Sequence, residues 1–357
     1  MPERRRGRLS PSLTQRVPGS ATVLPRPCSI WDRMATPSAS ASASNATFYQ
    51  PPVFFMTGIP GMDKNLHKLI SIPFCIFYFM ALLGNSTILF IIRRTPSLHE
   101  PMYFFLSMLA TTDLVLVMCT LPTTLGIFWF NIQTIGFDAC LTQMYFIHIV
   151  SVLESSVLLA MAFDRFVAIS RPLRYKAILT KPTLLKIGLA ILGRAALSLL
   201  PTPFLLKRLT YCSSNRLAHS FCFHPDIMKL ACADISVNVM YGLVVILSTA
   251  GVDSIFIVLS YILIIRTIVK LGTKRKCLKA LNTCASHICA VLIFFIPMIS
   301  LSMIHRFGKN TPPILSSVVA YIYLIVPPAL NPIIYSIKSK QIRKALRKSL
   351  LWKTDPV

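Results

Sequence analysis

The chain has 357 residues, of which 54% are hydrophobic and only 14% charged. Soluble domains carry about 25% charged residues, so the composition argues against a water-soluble globule and for a bilayer. The net charge of +25 does not call for nucleic acid. Its Lys and Arg residues fall in short segments between apolar runs, as topogenic charges do, rather than on one basic face.

In chain order, residues 1–33 carry seven Arg and no apolar core of the kind a signal peptide needs. They read as an alternative-start extension, disordered and dispensable. Met34 opens a blander Ser/Ala-rich stretch in which Asn45-Ala46-Thr47 fits a glycan acceptor.

Seven apolar runs follow, at about 69–92, 102–129, 140–164, 187–206, 235–265, 280–304 and 314–337. Each is long enough to cross roughly 30 Å of hydrocarbon as helix. Period-two alternation is absent, which excludes a membrane β-barrel. The expected fold is an all-α membrane protein, a seven-transmembrane helical bundle with a short amphipathic C-terminal helix. Its parts are an outer tail over 1–47, the bundle over 48–337, and a basic helix and tail over 338–357. In that last part Ile342, Leu346 and Leu350 recur at helical spacing, the pattern of an interfacial helix drawn to anionic lipid.

Twenty-one Lys and Arg lie on the side holding the C-terminus and eight on the other, leaving aside residues 1–33 and Arg194 inside span four. The bias predicts a plasma-membrane protein with its N-terminus outside and its C-terminus in the cytosol.

Polar residues inside apolar runs are the candidates for function. Asp113 and Glu154 lie in spans two and three, Arg194 and Asp253 in spans four and five. The latter two either pair or fix helix packing. His148 stands eight residues below Cys140, about 12 Å into the bundle, with Ser151 and Val152 following on the same side. Arg306 closes span six with Ser302 a turn below, and Thr249 and Val245 are candidates for the wall of span five. An Arg beside a lined cavity suits a carboxylate; otherwise it is a snorkelling interfacial residue. His148 reads equally as a bundle histidine. Cys140, Cys212, Cys222 and Cys232 lie in or beside two outer loops, and four such cysteines pair in three ways. Pro297 and Pro332 permit kinks in spans six and seven.

Several motifs now fall into order: Gly84-Asn85, Asp113, Cys140, Asp164-Arg165-Phe166, Ser260-Tyr261 and Asn331-Pro332-Ile333-Ile334-Tyr335. Together they resemble a rhodopsin-like G-protein-coupled receptor. The stretches "LHEPMYFFLSMLATTDL", "MAFDRFVAISRPLRY", "KALNTCASH" and "PPALNPIIYSIKSKQIR" resemble an odorant receptor. With "FFIP", Arg194 and a second outer loop rich in Cys, the likeness is to the class I, fish-like odorant receptors, family 51 above all. It spans about residues 48–350.

The resemblance implies disulfides Cys140–Cys222 and Cys212–Cys232, the first pinning the loop over the bundle. It implies that His148 and Arg306 line a site for a small odorant, often a carboxylic acid; Ser151, Val152, Thr249 and Ser302 join that site by their position in the spans. Pro225, beside Cys222, cannot supply the side-chain hydrogen bond that some relatives have there. It further implies that Asp164 restrains Arg165 at rest. When span six swings outward, Arg165 turns to Tyr261 and a cleft opens to a G protein of the Gs/olfactory type. His287, Asn331, Pro332 and Tyr335 belong to the same switch, and Phe166 stands where Tyr is commoner, leaving a hydroxyl partner missing, His287 a candidate for it. Asp113 and Glu154, with Asn85 and Asn331, imply either a sodium site or a protonated carboxyl pair; no other cofactor is expected.

Two other classes fit less well. A transporter is expected to show repeat symmetry, and no internal repeat is evident. A receptor for a small metabolite has the same fold, but residues 140–153 hold no Asp for a cationic amine. No HExxH spacing or nucleophile elbow points to an enzyme.

Overall fold

The computed structural model describes residues 49–59, 64–211, 215–270, 274–308 and 311–351. Asn45, the basic segment 1–33 and Cys212 lie outside the described residues.

Seven helices are long and apolar enough to cross a membrane: Lys68–Arg94, Pro101–Phe128, Phe137–Ser170, Lys181–Lys207, Ser236–Lys270, Cys284–Phe307 and Pro313–Ile337. They are spans one to seven. Several run a turn or more past the hydropathy limits, span three by six residues at its inner end and span four by six at its start. Hydropathy marks only the hydrocarbon-facing part, whereas the helical hydrogen bonds continue into the polar margin. Span four breaks after Leu199 and resumes as Pro201–Lys207, because Pro201 has no N–H for the preceding turn. Span five contains a wide π turn, Leu247–Gly251.

Span three is the hub. Of its most apolar stretch 67% is buried inside the bundle, against 22% for span five. A helix enclosed by neighbours can carry polar groups that lipid would reject, and Glu154, Ser155, Ser156 and Asp164 are all buried there. Spans one and seven meet closely. A Cβ on Gly84 would lie 2.7 Å from Pro332 Cβ, so only glycine permits this approach. Beside it Asn85 Nδ2 donates to Ala81 O and Pro328 O, both at 2.9 Å.

The face that holds the segment before span one, termed outer by its expected orientation, carries a small mixed sheet that the hydropathy pattern does not reveal. Strand β1 (Val53–Met56) pairs antiparallel with β2 (Thr134–Gly136) and parallel with β3 (Arg216–Leu217). Phe54 from β1 packs on Phe137 and Tyr211 at 5.6 and 6.1 Å between ring centroids. These strands tie the segment before span one to the loops after spans two and four.

The C-terminal helix Lys340–Leu351 begins at Ser339, whose Oγ accepts the Ile342 N–H at 3.2 Å. Ile342 is buried and Leu346 packs on the main core, as the helical spacing requires. The side chain of Leu350 lies outside the described residues.

Candidate functional site

The outer mouth is built by the loop between spans four and five. Cys222 is bonded to Cys140 at the top of span three, and its N–H donates to Gln143 Oε1 at 2.8 Å. Gln143 in turn donates to Cys119 O and Thr123 Oγ1 of span two, at 2.8 and 2.9 Å. The loop is thereby fixed to two spans. Cys232 is also disulfide-bonded.

With Cys222 pinned, the next residues drop into the mouth. Phe223 stands edge-on to His148 with ring centroids 5.2 Å apart, and lies 5.4 Å from His305 of span six. His224 is 6.2 Å from His148. Burial, then His148 and Arg306 nearby, push the His224 pKa down to about 3. Its ring is therefore neutral at ordinary pH. Beyond it the short helix His224–Lys229 carries Asp226, which faces His219 at 2.8 Å and Lys229 at 3.2 Å. Burial alone would raise the Asp226 pKa, but His219, Lys229 and His305 outweigh it and hold the carboxyl well below its usual range. Lys229 Nζ lies 3.2 Å from His305 Nδ1. An ammonium only donates, so Nδ1 accepts and the proton of a neutral His305 sits on Nε2. Nε2 of His219, His224 and His305 is in each case buried without a hydrogen-bond partner among the described residues.

The expected ligand residues divide. His148 and Arg306 come together with His224. Ser151 does not present a free hydroxyl: it donates to Ile147 O at 2.9 Å and accepts from Tyr323 of span seven. Thr249 donates to Val245 O at 2.6 Å inside the wide turn. Val152 is buried within span three, and Ser302 and Arg306 are half-buried. Sequence reading missed Phe223, His224 and His305. For Phe223 and His224 the signal was proximity, since residues next to a cysteine tied to a span have no way to leave the mouth; for His305 it was adjacency to Arg306.

Mid-bundle, Asn331 Nδ2 donates to both Asp113 oxygens at 3.1 and 3.3 Å. Glu154 lies within hydrogen-bonding range of Asp113, yet its Oε1 has no hydrogen-bond partner among the described residues. Asn85 spends its amide on the backbone of spans one and seven instead of on Asp113. No group of three or more His, Cys, Asp or Glu side chains suits a metal ion among the described residues. The oxygen donors and the orphaned Oε1 still fit a small hard cation.

At the inner end Asp164 and Arg165 are 4.0 Å apart. Tyr175 OH, from the loop after span three, donates to Asp164 at 2.7 Å, and the Arg165 guanidinium rests against Met102 Sδ. Tyr261 OH and His287 Nδ1 are 2.5 Å apart, and His287 Nε2 lies 3.0 Å from Leu158 O. A carbonyl only accepts, so Nε2–H donates to Leu158 and Nδ1 accepts from Tyr261. His287 thus has both partners and has none to spare for a hydroxyl at position 166; Phe166 packs on Ile264, Ile268 and Cys284 instead. Tyr335 OH reaches Met161 Sδ at 3.8 Å.

A family model described as "Olfactory receptor" matches residues 74–353. The chain belongs to the olfactory receptor family. Human olfactory receptor 51G2 is 54% identical over 302 residues, covering 85% of this chain and 96% of that one. Human olfactory receptor 51I2 is 53% identical over 296 residues, 83% and 95% of the two chains. The crystal structure of squid rhodopsin matches with a TM-score of 0.65 at 16% identity, over 85% of this chain and 92% of that one, and shares the fold. The chain is therefore a multi-pass plasma-membrane receptor, not an enzyme.

In this receptor the two charges of spans four and five pair: Arg194 Nη1 lies 2.8 Å from Asp253 Oδ1 and donates to Ser156 Oγ at 2.9 Å. Pairing is what allows both to reside within the spans.

Proposed function

We propose that this receptor binds a small oxygenated volatile, carboxylic acids above all, beneath the second outer loop, and signals through a Gs/olfactory-type G protein to raise cAMP. The observation that supports the ligand class is the convergence, under a loop held by the Cys140–Cys222 bond, of His148, His224 and Arg306, which has no ion-pair partner among the described residues. A guanidinium offers paired N–H donors to a carboxylate, while the neutral His224 ring and Phe223 give the chain of the odorant an apolar wall.

The Lys and Arg bias supports an outward N-terminus and a cytosolic C-terminus. Binding draws the outer ends of the spans together, releases Tyr261 from His287 and frees Tyr261 for Arg165, so that span six swings outward and opens the inner face. Asp113 and Glu154 are the residues that would hold a sodium ion, whose positive charge would offset the two carboxylates in the resting bundle. The basic C-terminal helix lies on anionic lipid.

An odorant panel read as cAMP, in cells with and without the stimulatory α-subunits, tests this. The expected result is a dose-dependent rise to one or more acids that vanishes without those subunits. A response that persists undiminished in their absence removes the proposed coupling.

A further inference from the structure

Span five changes its winding at one place. In the π turn Leu247–Gly251 the Val252 N–H reaches back to Leu247 O, so Ser248 O loses its ordinary α-helical donor. Arg194 of span four supplies a replacement, its Nη2 donating to Ser248 O at 3.0 Å. The same guanidinium grips Asp253, two residues past the turn, at 2.8 and 3.1 Å. Asp253 also accepts from Ser155 Oγ at 2.7 Å and is fully buried. One planar group thus spans the turn from inside to just beyond it, which a single ammonium cannot do.

The turn decides what the outer half of span five presents. Removing its extra residue would rotate Ser236–Ile246 by about 100° relative to the inner half. At present Tyr241 OH donates to Ser198 O at 2.7 Å and Asn238 Nδ2 to Leu205 O at 3.0 Å, seating that half on span four. Its Gly242 then faces the mouth: a Cβ there would sit 3.8 Å from His224 Cε1.

We propose that Arg194 is a positioning residue for the ligand site: by bridging Ser248 O and Asp253 it holds the wide turn of span five, and so keeps the Gly242 face of the outer half against His224. The consequence for odorants rests on the ligand reading above; the register of span five does not.

The test uses full-length receptor in permeabilised membranes, so that variants retained inside the cell are still read. Single cysteines at Tyr241, Gly242 and Leu243 are labelled with a charged methanethiosulfonate reagent, against the receptor without them. Arg194→Lys keeps the charge and loses the fork. Arg194→Met with Asp253→Asn removes both charges and leaves no buried carboxylate unpaired. In the double variant the fastest-labelled position is expected to move by one residue, with Arg194→Lys partway. An unchanged labelling order in both variants overturns the assignment. A second arm measures agonist potency of Arg194→Lys at matched surface density, with a shift of about tenfold expected, the equivalent of one lost hydrogen bond. Labelling that moves while potency holds overturns the ligand role and leaves the register.

Discussion

The two ends of span three treat buried polar groups in opposite ways. At the inner end every key group is matched: Tyr175 on Asp164, Tyr261 and Leu158 on the two nitrogens of His287. At the outer end three imidazoles keep a buried nitrogen unmatched and Arg306 forms no ion pair, both among the described residues. An unmatched buried polar atom costs about 1–3 kcal/mol, which a bound molecule can recover. A matched network is instead a lock that must be broken to move. Under the proposed function, this contrast casts the mouth as a receiver and the inner end as a latch.

Removing the fixing bond of the mouth should have the largest effect. Cys222→Ser is expected to lower stability by about 2–5 kcal/mol and abolish odorant responses; near-normal thermal unfolding and signalling would show that the loop needs no pin. Next comes the close approach of spans one and seven. Gly84→Ala forces a Cβ to 2.7 Å from Pro332, and a cost of about 1–3 kcal/mol is expected in unfolding measurements.

The latch comes third. His287→Phe deletes the partner of Tyr261, and ligand-independent cAMP should rise about fivefold, as one lost hydrogen bond of about 1 kcal/mol implies. Tyr261→Phe added to it should reverse the rise, since the hydroxyl freed from His287 is the one Arg165 takes up on activation. A basal level equal to wild type in His287→Phe alone would mean that the pair restrains nothing.

The smallest effect is on pH. His224 titrates near 6.5 when unfolded and near 3 when folded. The unfolded chain therefore binds the extra proton as pH falls below about 6.5, and the folded one does not until about 3. Stability from this group is complete above that range and declines on acidification. The unfolding midpoint should be lower at pH 5 than at pH 7, and His224→Gln should narrow the gap; an equal gap would contradict the neutral ring.

Much of this architecture is legible in the sequence because lipid imposes so few solutions. Apolar length fixes seven spans, and charges such as Arg194 and Asp253, set inside spans, have to find each other. What stays hidden depends on single contacts. Strands of two to four residues leave no periodic trace, so β1 to β3 are invisible to hydropathy. Ser151 and Asn85 look like free polar groups, yet each turns its donor to a carbonyl four residues back on its own helix. Phe223 lies beside His305, and His224 beside His148, because the Cys140–Cys222 bond folds the loop inward.

The claim that the mouth is a receiver for acids is tested most directly at Arg306. Dose–response curves for straight-chain carboxylic acids and their methyl esters are to be compared between wild type and Arg306→Ala at equal surface density. Loss of one charge-assisted contact, about 1.5–3 kcal/mol, predicts acid potency at least tenfold weaker in the variant, with ester potency little changed. Superimposable acid curves from the two receptors would contradict the account.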